Sequence, residues 1–140
     1  MRGNREQGTG NRKQGSEIST KDMSDERELL EGAYRDFNAR RLDAVLARMR
    51  PNVVWPNGME GGFVYGQEGV REYWTRQWAV LDPRVDPVEI STDERGRWIV
   101  KVHQVVHDRE GKLLVDQVVH HAYEIHDSLI ARMDIEECGG

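Results

Sequence analysis

The sequence predicts an α+β fold, with three helices interleaved with one or two short strands and then a long, curled antiparallel sheet. Three observations carry this. Apolar residues recur at helical spacing three times in the first half of the chain. The last third is made of β-branched runs separated only by turn residues. The connections between those runs are too short for crossover helices, so the strands form an antiparallel meander and not a βαβ array.

The elements follow in order. Asp25 and Glu28 make a capping-box pattern, and Leu29, Leu30, Ala33, Tyr34 and Phe37 then repeat at helical spacing until Asn38 closes the helix. Leu42, Val45, Leu46 and Met49 mark a second short helix that Pro51 stops. Val53-Val54-Trp55 is a short strand, and Pro56-Asn57-Gly58 a turn. Gly58, Gly61, Gly62 and Gly66 surround Phe63-Val64-Tyr65 in a loop. Neither the spacing nor the Lys-Ser/Thr of a phosphate cradle is present. A third helix runs from about Gln67 to Leu81, with Val70, Tyr73, Trp74, Gln77 and Trp78 along one side, and Asp82-Pro83 ends it. Gln77 stands out on that stripe, because a buried amide needs partners. Strands follow at Val85–Ile90, Trp98–His107, Leu113–His126 and Leu129–Ile135.

Composition narrows the function classes. The chain has 140 residues, 37% hydrophobic and 32% charged, with net charge −5. No run of ~18 apolar residues exists to span a membrane. A lone cysteine, Cys138, excludes a disulfide scaffold and fits a cytoplasmic location. The acidic balance argues against a nucleic-acid binder, which needs a basic face. Residues 1–24 carry +2 and the remaining 116 carry −7. The first segment is polar and nearly empty of large apolar side chains, so 1–24 reads as a flexible tail and 25–137 as the folded domain. The tail also lacks the ~7–15 residue apolar core of a secretory signal.

This element order, with these residues, resembles the nuclear transport factor 2-like superfamily, and the SnoaL-like group in particular. The resemblance spans roughly Asp25 to Glu137. It rests on the helix pair Leu29–Met49 joined by Phe37-Asn38-Ala39-Arg40-Arg41-Leu42-Asp43, on Val53-Val54-Trp55, and on Gly66-Gln67-Glu68-Gly69-Val70-Arg71-Glu72-Tyr73-Trp74. The closing Tyr123-Glu124-Ile125-His126-Asp127-Ser128-Leu129-Ile130 looks like the family's last hairpin, with Ser128 where Gly is commoner. The resemblance implies a cone-shaped half barrel whose concave face, closed by helices, forms a pocket. It also implies a homodimer through the outer sheet face. The family holds isomerases, epoxide hydrolases, cyclases, dehydratases and non-catalytic domains, so it gives a place for function and not its identity.

Strand parity decides which side chains face that pocket. A four-residue loop Arg109–Lys112 pairs Asp108 with Leu113, sets Arg97 opposite Glu124 and Trp98 opposite Tyr123, and gathers the apolar residues on one face. A three-residue loop with Gly111 left-handed would slip the register by one and break the charge pair. In the first register Gln104, Gln117 and His121 stand on an apolar wall. The two amides are either a satisfied core pair or a clamp on a substrate oxygen. His121 is either a base for proton transfer or a neutral core histidine bonded to backbone or a tyrosine hydroxyl. A two-residue turn at Asp127-Ser128 would set Asp134 opposite His121 as a dyad, whereas a bulge or longer turn would put Asp134 outside. The other histidines do not make a metal site. His103 and His107 lie ~13 Å apart on a strand, and His120 and His121 point to opposite faces.

These residues suggest a cofactor-independent enzyme acting on a small, mostly apolar carbonyl or hydroxyl compound. His121 and Asp134 would carry the proton. Gln104, Gln117 or Tyr73 would bind the oxygen, and Trp55, Trp74, Trp98, Gln77 and Tyr123 would line the site. A non-catalytic small-molecule-binding domain and a dimeric interaction module are the alternatives.

Overall fold

The computed structural model describes residues 20–137. Helix α1 spans Thr20–Asn38 and α2 Leu42–Leu46. Strand β1 is Met49–Pro56, β2 Phe63–Tyr65, and helix α3 Gly66–Val80. Strands β3 (Leu81–Thr92), β4 (Trp98–Asp108), β5 (Leu113–His126) and β6 (Leu129–Glu137) complete the chain. All six strands form one curved, open sheet in the order β2-β1-β6-β5-β4-β3, with β1 parallel to β6 and the other pairs antiparallel. The fold class is the expected α+β arrangement, and the helices cover the concave face.

Several boundaries differ from expectation, each for a local reason. Helix α1 starts one turn before Asp25, because no breaker separates Thr20 from Ser24. The proposed tail therefore loses its last residues to the helix, and residues 1–19 lie outside those described, as does Cys138. Helix α2 is shorter than its apolar spacing suggested, and Met49 instead opens β1. Strand β1 tolerates Pro51 because its pairing with β6 skips from Met49↔Ile130 to Val54↔Arg132. The Phe63–Tyr65 segment, expected as loop, pairs with β1. Strand β3 starts at Leu81 and runs through Pro83 and Pro87, which an outermost strand accommodates because its outward N–H groups need no strand partner.

The buried core lies between sheet and helices. Leu30, Val53, Val70, Val100, Val102 and Ile130 are fully enclosed. Trp98, Val100 and Val102 alternate with less buried neighbours on β4, as the period of two requires. One buried carboxylate, Asp36, ties the helical corner: it accepts from Arg41 Nη1 at 3.2 Å and Arg48 Nε at 3.1 Å. Arg40 closes α1 with φ 62°. A left-handed arginine costs about 1 kcal/mol against glycine. Its guanidinium offsets this by donating to Asp82 Oδ1 and the Pro83 carbonyl, both at 2.6 Å, and by lying over the Trp78 ring.

Asn38, the last residue of helix α1, clamps that helix to β3 through both ends of its amide. Asn38 Nδ2 donates to the Val85 carbonyl at 2.7 Å, and Asn38 Oδ1 accepts from the Val85 N–H at 2.9 Å. Asn38→Ala leaves both partly buried backbone groups unpaired, and each net hydrogen bond is worth about 1 kcal/mol. Chemical denaturation of this variant is expected to show a loss of about 2 kcal/mol with an unchanged m value.

Candidate functional site

A cavity of about 360 Å³ opens between the concave face and the helices. Ala33, Tyr34 and Phe37 of α1 form one side, and Tyr73, Trp74 and Gln77 of α3 another. Val119, His121 and Tyr123 of β5 form the floor. Edge-to-face aromatic contacts fix the walls: Trp55 meets Trp74 with ring centroids 5.4 Å apart, and Phe37 meets Trp74 at 5.1 Å. Among the described residues that line it, none is Asp, Glu, Lys or Arg. An uncharged, low-dielectric space results, which favours neutral ligands and penalises ions.

The polar groups of the floor form a chain. Tyr123 O–H donates to Tyr34 Oη at 2.8 Å, and Tyr34 Oη lies 2.7 Å from His121 Nδ1. With Tyr123 donating, the remaining Tyr34 proton goes to Nδ1, so the neutral imidazole carries its own proton on Nε2. Among the described residues Nε2 has no hydrogen-bond partner. His121 is only 6% exposed, and burial, with help from neighbouring His120, depresses its pKa to about 4. Burial also raises Tyr34 and Tyr123 above the usual phenol range. All three groups are therefore neutral at physiological pH.

A second polar pair sits on α3. Tyr73 Oη accepts from the Gly58 N–H at 3.0 Å and from Gln77 Nε2 at 3.2 Å. Burial raises its pKa. The β1–β2 turn is thereby held against α3, with Pro56, Gly58 and Met59 on the cavity wall. Asn57 shapes this turn by accepting from the Met59 and Glu60 N–H groups, and Arg76 anchors Glu60 at 2.9 Å. Gln104 and Gln117 face each other and bond at 2.8 Å. They stand at the mouth beside Leu114 and Ile135, two exposed apolar residues.

Two expected site residues lie elsewhere. The β5–β6 hairpin has the anticipated turn, with Asp127 and Ser128 both left-handed and His126 opposite Leu129. A shift between Ile125 and Glu124 then leaves Ala131 as an extra residue. It sets His121 opposite Ile135 and Asp134 opposite Ala122, so the dyad does not form. Asp134 instead accepts from Arg132 Nε at 2.8 Å. Trp98 is buried but does not line the cavity. Its indole N–H donates to Glu26 of α1 at 2.8 Å.

The β4–β5 turn corrects a further detail. Asp108 N–H bonds the Lys112 carbonyl across a three-residue loop, with Gly111 at φ 91°. This is the tighter loop that would have slipped the register, yet a shift after His107↔Leu113 restores the expected pairing by Val106↔Val115. The Arg97–Glu124 pair does not form. Arg97 bonds Asp93 at 2.9 Å and Glu136 at 3.2 Å. Tyr34 was the residue missed. Its signal was a hydroxyl on an otherwise apolar helical stripe, which a buried site obliges to find a partner.

The SnoaL-like domain profile matches residues 30–133. The chain belongs to the SnoaL-like family. Its fold is that of the nuclear transport factor 2-like superfamily. A protein of this fold and of unknown function from Burkholderia pseudomallei shares 22% identity, with TM-score 0.72, over 83% of this chain and 92% of that one. TerC, co-crystallised with polyporic acid, shares 25% identity, with TM-score 0.70, over 81% and 92%. SalBIII, an epoxide hydrolase/cyclase-like enzyme of pyran ring formation in salinomycin, shares 15%, with TM-score 0.71, over 85% and 95%. A search of curated protein sequences finds no match. Among the described residues of this SnoaL-like chain, no helix is long and apolar enough to cross a membrane, and no three His, Cys, Asp or Glu side chains converge as metal ligands.

The neutral His121 makes stability depend on pH. Its folded pKa of about 4 lies below the unfolded value of about 6.5, so the unfolded chain binds the extra proton between those values. The contribution is intact above about pH 6.5 and is lost progressively as pH falls toward 4, by about 3 kcal/mol in all. Denaturation curves across that window are expected to show this loss. His121→Gln, which cannot take up the proton, is expected to flatten it.

Proposed function

We propose that this SnoaL-like domain binds a small, neutral, mostly apolar carbonyl compound and catalyses proton transfer next to the carbonyl without a cofactor. The Tyr123–Tyr34–His121 chain ending on the cavity floor carries the reading. Each hydroxyl both donates and accepts, so the two bonds can also run in the opposite sense, with the Tyr123 proton left to a ligand in the cavity that Tyr123 lines. In that sense Nδ1–H donates to Tyr34 and Nε2 presents a lone pair to the cavity. Nε2 then takes a proton from the carbon beside the carbonyl. The imidazolium, held at a depressed pKa by its burial, returns the proton to another position of the same molecule. Isomerisation is the member of the class that needs no other reactant, and cyclisation or dehydration can follow from the same enol. Tyr73 O–H, with both lone pairs occupied, donates to the oxygen where charge develops. The aromatic walls exclude water.

A second reading is a binding domain without catalysis. The absence of any carboxylate on the described cavity wall favours it, because the histidine on that wall is a weak base. Hydrogen–deuterium exchange at the methyl group of acetophenone in heavy water, followed by NMR, separates the two. The enzymatic reading expects acceleration by the protein, a drop of about a hundredfold in His121→Gln and a smaller drop in Tyr34→Phe. Saturable binding of acetophenone with exchange no faster than in buffer would sink it and leave the binding reading.

A further inference from the structure

Gln77 presents an unsolved hydrogen-bonding problem. Its Nε2 donates to Tyr73 Oη, but its Oε1 is buried and has no partner among the described residues. An acceptor left unmade in this way costs more than a hydrogen bond gains, and native chains rarely tolerate one without a reason. Its neighbour Tyr73 has the complementary surplus. Gly58 N–H and Gln77 Nε2 occupy both lone pairs of the Tyr73 hydroxyl, and its proton has no acceptor among the described residues. Both side chains line the cavity. One unspent donor and one unspent acceptor therefore stand side by side on α3, one helical turn apart.

We infer that Tyr73 and Gln77 form a subsite for a neutral hydroxyl group, so that the ligand is an enol, a phenol or an alcohol at the end that meets α3. A hydroxyl is the smallest group that accepts from Tyr73 O–H and donates to Gln77 Oε1 at once. A ketone or an ether satisfies the first contact and leaves the second open. A carboxylate or phenolate also fails, since it brings a charge into a cavity whose described lining holds no cation. Gln77 thereby selects the protonated enol over the ketone, and it is the residue that sets specificity at this end of the site. This inference rests on the cavity being a ligand site, as the proposed function holds.

The test uses three probes of matched shape: para-ethylphenol, its methyl ether para-ethylanisole, and ethylbenzene. Their affinities for the full-length chain are measured by NMR titration. The phenol is expected to bind about tenfold more tightly than the ether, the value of one buried hydrogen bond. Gln77→Met, close in size but without the acceptor, is expected to abolish that preference. Circular dichroism establishes that the variant is folded. Equal affinity of phenol and ether for the wild type, which a resident water on the two groups would produce, overturns the inference while leaving the cavity as a ligand site. An undiminished preference in Gln77→Met overturns it as well. Failure of all three probes to bind overturns the ligand site itself, and the inference with it.

Discussion

The parity of β5 between its two neighbours is the constraint on which the site depends. A strand offers only alternate residues to the concave face, so a one-residue slip would trade His121 and Tyr123 for His120 and Ala122. Two irregularities flank this strand and act in opposite ways. On the β4 side, an extra residue near Leu114 compensates the tight Gly111 turn and keeps Gln104 opposite Gln117. On the β6 side, the extra residue Ala131 moves Asp134 from the cavity face to the outer one. Bulges of this kind redirect side chains without altering topology.

The chemistry follows from that placement. Had Asp134 stayed opposite His121, the cavity would hold a carboxylate and a more basic imidazole. Instead the histidine bonds the neutral Tyr34 hydroxyl, which brings no countercharge. Burial then dominates, and His121 remains neutral. A neutral imidazole between a hydroxyl chain and an empty space can serve as donor or acceptor according to the direction of the chain. The same uncharged surroundings make each unpaired polar atom on the wall costly, which is why Tyr73 and Gln77 are informative.

Much of this was legible in the sequence because periodicity and cross-strand pairing are local. The helical stripes of α1 and α3 showed in apolar spacing, and Trp98 opposite Tyr123 followed from pattern matching along β4 and β5. The Gln104–Gln117 pair and a tyrosine hydroxyl on His121 were both foreseen as alternatives. What was hidden is what depends on tertiary contact. The turn at Asp127-Ser128 alone pointed to the dyad, whereas the alternation of Ala131, Met133 and Ile135 with Arg132, Asp134 and Glu136 argued against it, and the bulge at Ala131 is what satisfies both. Trp98 lies on the correct face, but α1 covers it through Glu26, a contact across 72 residues. Tyr34 was visible only as a core position, because its role depends on two groups nearly ninety residues away.

The Asn38 clamp on Val85 has a consequence beyond joining α1 to the sheet. An outermost strand exposes a row of N–H and C=O groups that a foreign strand can pair with, and such edges seed aggregation. At Val85 both groups are already taken by a side chain that mimics a strand neighbour. Pro83 and Pro87 on either side have no N–H to offer. Together the three positions interrupt the template across the middle of β3. The same amide that docks the first helix therefore also guards the open end of a curved sheet, where closure into a barrel would otherwise have removed the hazard.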